Sequence, residues 1–168
     1  VSISTQSHET SAISFASQPQ DNAKHLSANF VGDTINASVV TRTADNAKSA
    51  QNEQGNATPL NSQYQQRAAT LSSEFSWYDI DIFASAIVSQ GYDIGKSSAT
   101  FPTERISNYP QDDHLLSQIE FSSAGQWKFK LYQHQQQWQT NITRLDDKQN
   151  FSRRNVTDYQ SDTFGAYG

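Results

Sequence analysis

Of the nineteen aromatic side chains in this chain, seventeen lie after residue 63, and only Phe15 and Phe30 come before it. A hydrophobic core is built from large apolar side chains, each contributing on the order of 1.5–3 kcal/mol when buried. Residues 1–63 cannot by themselves offset the entropy of ordering the backbone. They read as a long, polar, low-complexity N-terminal arm. The folded domain is expected over 75–168, where the aromatic residues are.

The arm is not featureless. Ile13-Ser14-Phe15 and Ile35-Asn36-Ala37-Ser38-Val39 alternate apolar with polar residues, the pattern of a half-buried strand. Asp-Asn-Ala-Lys occurs at 21–24 and again at 45–48, which in so biased a segment is weak evidence for a repeat. Residues 64–74 are rich in Gln, Ala, Arg and Leu and read as a short helical connector.

Alternation is clearest beyond the connector. Phe75-Ser76-Trp77 and Ile80-Asp81-Ile82 alternate in opposite phase, which suggests a β-bulge at Tyr78-Asp79. Residues 91–113 carry Gly91, Gly95, Pro102 and Pro110 and read as loop with one short strand. Leu115, Ile119 and Phe121 share a strand face, and Ser122–Gly125 is a turn. Trp127, Phe129 and Leu131 then alternate with Lys128, Lys130 and Tyr132. A second turn at Gln133–Gln136 would lead to a strand with Trp138, Thr140 and Ile142. This is an antiparallel meander with one apolar and one polar face. Apolar sheet faces need a second layer. The expected fold is therefore mainly β, a small antiparallel immunoglobulin-like β-sandwich preceded by the arm.

Composition excludes several classes. Ser, Thr, Asn and Gln make up 66 of the 168 residues, with 35% apolar and 17% charged. The chain is hydrated without being highly charged. A net charge of −5 with scattered basic residues argues against nucleic acid as a partner. There is no Cys, hence no disulfide, thiolate metal site or cysteine nucleophile. Position 1 is Val and there is no Met. Signal-peptide removal is the simplest expectation, which favours a secreted or surface protein of bacterial origin. No apolar run approaches the roughly 20 residues of a spanning helix, so no membrane-spanning segment is expected.

No motif carries catalysis. Gly91-Tyr92-Asp93-Ile94-Gly95-Lys96-Ser97 places three residues between its glycines, where a phosphate-binding loop needs four and a helix after it. The histidines His8, His25, His114 and His134 are dispersed and read as solvated. Asp112, Asp113, Asp146 and Asp147 fall in expected loops and are weak candidates for calcium, which takes six to eight oxygen ligands. No cofactor is expected, and the chain is expected not to be an enzyme. Tyr78, Tyr132 and Trp138 are the aromatics expected to face a ligand, because exposed rings beside amides can stack on sugars.

The expected function is that of a non-catalytic extracellular structural or assembly subunit. Its arm would pack on a neighbouring copy by strand addition, offering Ile13 and Phe15, or Ile35, Ala37 and Val39, to an open sheet edge. Head-to-tail repetition would build a filament. The alternative is a secreted β-sandwich module that binds carbohydrate or protein.

Overall fold

The computed structural model describes residues 10–19, 21–48, 60–98, 104–146, 148 and 150–168. Eight strands follow in chain order: β1 (Ala12–Gln18), β2 (Ala23–Val31), β3 (Ile35–Ala44), β4 (Tyr64–Trp77), β5 (Ile80–Lys96), β6 (Arg105–Ser123), β7 (Trp127–Leu145) and β8 (Phe151–Tyr167). Each pairs antiparallel with its neighbours in the chain, so the strand order is the sequence order. No helix occurs among the described residues.

The mainly β expectation is met, with differences in detail. The strands form one sheet, and no second apolar layer lies against it among the described residues. The arm's alternating segments are β1 and β3, paired within their own chain. The helical connector expected over 64–74 is instead part of β4. Its helix propensity is worth only tenths of a kcal/mol per residue, and hydrogen-bonded neighbours on both sides outweigh it.

The expected bulge at Tyr78-Asp79 is a two-residue turn, with Tyr78 at φ 54°. The phase slip arises because Trp77 and Ile80 oppose each other across it. The expected turn at Gln133–Gln136 does not form, and β7 continues through it. The expected 91–113 loop is mostly strand, including Gly91–Lys96. Pro110 lies at the register shift between Asn108 and Gln111, a place where a missing N–H disturbs the ladder least.

Connection lengths divide the two ends of the sheet. At one end β2–β3, β4–β5 and β6–β7 are joined by three, two and three residues. At the other, β1–β2, β3–β4, β5–β6 and β7–β8 are joined by four, nineteen, eight and five. These are called the turn end and the loop end below. At about 3.3 Å per residue, nineteen-residue strands such as β6 and β7 run about 60 Å.

The sheet has almost no buried core. Ala44 is the one hydrophobic residue buried among those described, and twenty large hydrophobic residues are exposed.

Candidate functional site

Side chains directly opposite each other across a ladder share a face, and alternate residues along a strand do too. The register therefore sorts every strand position onto one of two faces. One row across four strands reads Phe75, Ile82, Phe121, Phe129. Another reads Ile13, Ala28, Val39, Ala69, Val88, Leu115. This face collects the apolar residues. The other collects Ser, Thr, Gln, His, Asp and Lys, as in the row Ser14, Ser27, Val40, Ala68, Ser89, His114.

The apolar face is the exposed one. Along β4, Gln65, Arg67, Ala69 and Leu71 are exposed, while Gln66, Ala68, Thr70 and Ser72 on the polar face are half-buried. A curved sheet crowds its inner side chains and splays its outer ones, so the polar face is the inner one. Val156 and Ile106 lie on the outer face nearer the loop end, and fourteen more of the twenty exposed hydrophobics share that face. They are Ile13 and Phe15 on β1, Leu26 and Phe30 on β2, and Ile35 and Val39 on β3. Leu71, Phe75 and Trp77 on β4 and Val88 on β5 continue the set. Trp127, Phe129 and Leu131 on β7 and Phe164 on β8 complete it. Trp127, Phe129 and Leu131 read from sequence as a core face, yet each is at least 40% exposed.

The apolar residues form a band limited in height. On β5 it runs from Ile80 through Ile82, Ala84 and Ala86 to Val88, then gives way to Gln90. Its level shifts across the sheet. On β7 it occupies the rows nearest the turn end, Trp127 to Leu131, with Gln133, Gln135, Gln137 and Gln139 following. On β1 and β2 it lies farther toward the loop end, at Phe15 and Leu26. Trp77 and Trp127 stand at its turn-end border, and Tyr78 extends beyond it, 88% exposed.

Past the band, toward the loop end, the outer face becomes a row of Arg67, Gln90, Asp113, Gln137 and Gln160. Amide–carboxylate bonds tie the strands there. Gln139 Nε2 donates to Asp158 at 2.6 Å, and Gln135 Nε2 donates to Asp162 at 3.1 Å.

The inner face is knitted by cross-strand polar contacts. Ser14 and Ser27 hydroxyls lie 2.7 Å apart, and those of Ser38 and Thr70 lie 2.6 Å apart. Lys128 Nζ meets Glu120 at 2.7 Å. Toward the loop end of β6–β8 the inner face carries rings. Trp138 stacks on Tyr159 with centroids 5.1 Å apart, and Tyr109 tilts against Trp138 at 6.2 Å. Lys96 Nζ lies 4.2 Å from the Tyr109 ring centre and donates to its hydroxyl at 2.9 Å. His114 and His134 stack at 5.7 Å, and His114 Nε2 contacts Asp112 Oδ1 at 2.9 Å.

The residues singled out from sequence are thus dispersed. Ile13, Phe15, Ile35, Ala37 and Val39 belong to the outer apolar band, with their backbone paired inside the chain. Of the three ligand-facing aromatics, Trp138 lies in the inner ring cluster. Tyr132 also faces inward but covers Gly165, where an added Cβ would fall inside the Tyr132 ring. Tyr78 is a turn residue at the opposite end. His114, His134, Asp112, Tyr109 and Tyr159 were not expected here. Residues 132, 134, 136 and 138 alternate on one face, but that is visible only once β7 is known to be unbroken. His8 and Asp147 lie outside the described residues.

The carboxylates do not converge. Asp112 faces inward against His114, whereas Asp113 faces outward with Gln111 Nε2 donating to it at 2.6 Å. No group of three or more His, Cys, Asp or Glu able to hold a metal occurs among the described residues. Asp146 accepts the backbone N–H of Asn150 at 2.8 Å and of Lys148 at 2.9 Å. The Asn150 backbone N–H is the main cause that holds its carboxyl below the usual value, against the opposing effect of burial and with help from the Asn150 side chain and the Lys148 N–H. A depressed carboxylate contributes its contacts fully above its unfolded pKa and loses them as pH falls through the folded value. The protection of the Lys148 and Asn150 amides against hydrogen exchange, taken relative to the intrinsic rate at each pH, should therefore fall as pH drops below the ordinary carboxylate range. Asp146→Asn should abolish that pH dependence.

Among the described residues no helix is long and apolar enough to cross a membrane. Comparison with protein-family models, curated proteins and solved structures finds no match to this chain.

Proposed function

We propose that this chain is a wall segment of a transmembrane β-barrel at the cell surface, with its apolar face toward lipid and its polar face toward a water-filled interior. The observation that carries this reading is the inversion of faces: the apolar side chains are on the outer, exposed side and the polar ones on the crowded inner side. In water, fourteen half-exposed large side chains would forgo on the order of 10–20 kcal/mol. That is as much as the whole stability of a typical domain. In hydrocarbon the same face costs nothing.

The dimensions agree. Ile80 to Val88 spans about 27 Å along β5. At the 35–45° tilt usual for such strands this gives about 19–22 Å of height, close to the roughly 25 Å apolar band of transmembrane barrels. Tilted strands cut by a flat membrane carry the band at different residue levels, which accounts for its shift between β7 and β1. Trp77, Tyr78 and Trp127 at its border match the aromatic girdle that marks a membrane–water interface. Short turns at one end and longer loops at the other are a further feature of such barrels. The missing 20-residue apolar run does not bear on strands, which need only about 9–11 residues to cross. The outer edges of β1 and β8 have no partner strand among the described residues. Strand addition there, by further strands or by a second copy, would close the wall, and closure satisfies the edge groups that lipid cannot.

The test is fluorescence quenching by brominated phospholipids, using chains that retain one Trp each. Trp77 and Trp127 should be quenched by bromine near the headgroup end of the acyl chain, and Trp138 should not be quenched by bromine at any depth. Trp77 and Trp127 emission unaltered by brominated lipid would overturn the reading. So would a shift that appears without lipid and grows with protein concentration, which would mean that a second copy covers the band.

A further inference from the structure

We infer that the inner face at the loop end of β6–β8 is a saccharide-binding site, with Trp138 and Tyr159 as its ring platform. The inference rests on the inner face lining a water-filled interior.

Elsewhere the inner face is mostly small and polar, with Phe83, Ile87, Leu116 and Tyr132 set singly among the serines, threonines and glutamines. Rings there bury no core, because the sheet has none to bury. Yet Tyr109, Trp138 and Tyr159 come from three adjacent strands and meet in one cluster. Tyr159 is 43% exposed. Hydrogen-bonding groups surround the platform. Asp112 shares its cross-strand row with Trp138 and Tyr159. His114, Gln136 and Ser161 form the next row, and Lys96 stands at Tyr109.

This combination has a specific chemical complement. The C–H face of a pyranose packs on an aromatic ring, while its hydroxyls both donate and accept. Asp112 supplies an acceptor, Lys96 a donor, and Gln136, Ser161 and the imidazoles supply both. Positive and negative groups are mixed, so the site does not select an anion or a cation. It fits an uncharged, hydroxyl-rich ligand, and rings contributed by three neighbouring strands suit a chain of sugars better than a single one.

The experiment uses the full chain in lipid vesicles with Trp77→Phe and Trp127→Phe, which leaves Trp138 as the only Trp among the three. Its emission is followed while maltohexaose, cellohexaose or chitohexaose is added, with adenosine monophosphate as a planar non-sugar probe. At least one hexaose should change Trp138 emission saturably, and Tyr159→Ala should weaken that binding by about ten-fold or more, the loss of one stacking contact. Asp112→Asn should weaken it as well, and provides a second variant if Tyr159→Ala misfolds. Tyr78→Ala, at the other end of the sheet, should leave it unchanged. No response to any hexaose would overturn the inference, as would a response to adenosine monophosphate alone. Quenching of Trp77 and Trp127 in the unsubstituted chain tests the lipid-facing reading separately. If they are quenched while Trp138 ignores sugar, this inference alone fails.

Discussion

Leu71→Arg should destabilise the lipid-inserted chain by about 2–4 kcal/mol, the cost of an arginine near the middle of a barrel's lipid-facing band. Ser85→Arg should cost far less. Leu71 and Ser85 lie on adjacent strands but on opposite faces: Leu71 shares its outer row with Ala37 and Ala86, and Ser85 its inner row with Ser72 and Gln118. The guanidinium at position 71 would sit in hydrocarbon with no water to solvate it, whereas the one at 85 would meet water and polar neighbours. Urea unfolding from vesicles, followed by Trp emission, measures both. The contrast decides between environments. Were the outer face in water, Leu71→Arg would exchange an exposed apolar side chain for a charged one, and surface substitutions of that kind shift stability by only about half a kcal/mol. Equal effects at the two positions would therefore sink the lipid-facing reading.

The strand content was legible from sequence because alternation is a local signal. Phe75, Trp77, Ile80 and Ile82, and later Phe121, Trp127, Phe129 and Leu131, lie on one face as their spacing implies. What alternation does not encode is which face turns outward. Apolar residues every second position describe a sheet over a core and a wall in lipid equally well, and the core was assumed. A sheet over a core needs a second apolar layer, hence the expected sandwich. From sequence, Gln133–Gln136 reads as a turn between the strand of Trp127, Phe129 and Leu131 and the strand of Trp138, Thr140 and Ile142, whereas β7 runs unbroken through it. The arm's alternating segments pair within the sheet as β1 and β3. Ile13, Phe15, Ile35 and Val39 are too few to build a core, but a lipid-facing wall needs none, since the solvent supplies the apolar contact. The inner ring cluster depends on register between β6, β7 and β8, including the shift at Pro110, and no single-strand pattern records it.

Gly165→Val should destabilise the β7–β8 edge by about 2–3 kcal/mol, in the range typical of overpacking. Tyr132 and Gly165 are directly paired on the inner face, and the phenol ring lies where a side chain at 165 would have to go. In effect the ring stands in for the missing side chain, covering the glycine backbone and linking the two strands. A valine must expel the ring, and the expelled ring loses its packing on the glycine. The partner substitution separates this clash from a loss of glycine flexibility. The residue has no positive φ, so backbone conformation does not demand glycine there. Tyr132→Ala alone should cost about 1 kcal/mol through lost ring contact. In the Tyr132→Ala background the valine should then be nearly neutral, giving a coupling energy within the 0.5–3 kcal/mol seen for residues in contact. Chemical unfolding of the four chains supplies the cycle. Additive costs would mean that the ring and the glycine act independently, and Tyr132 would then be free to meet a ligand, as its sequence first suggested.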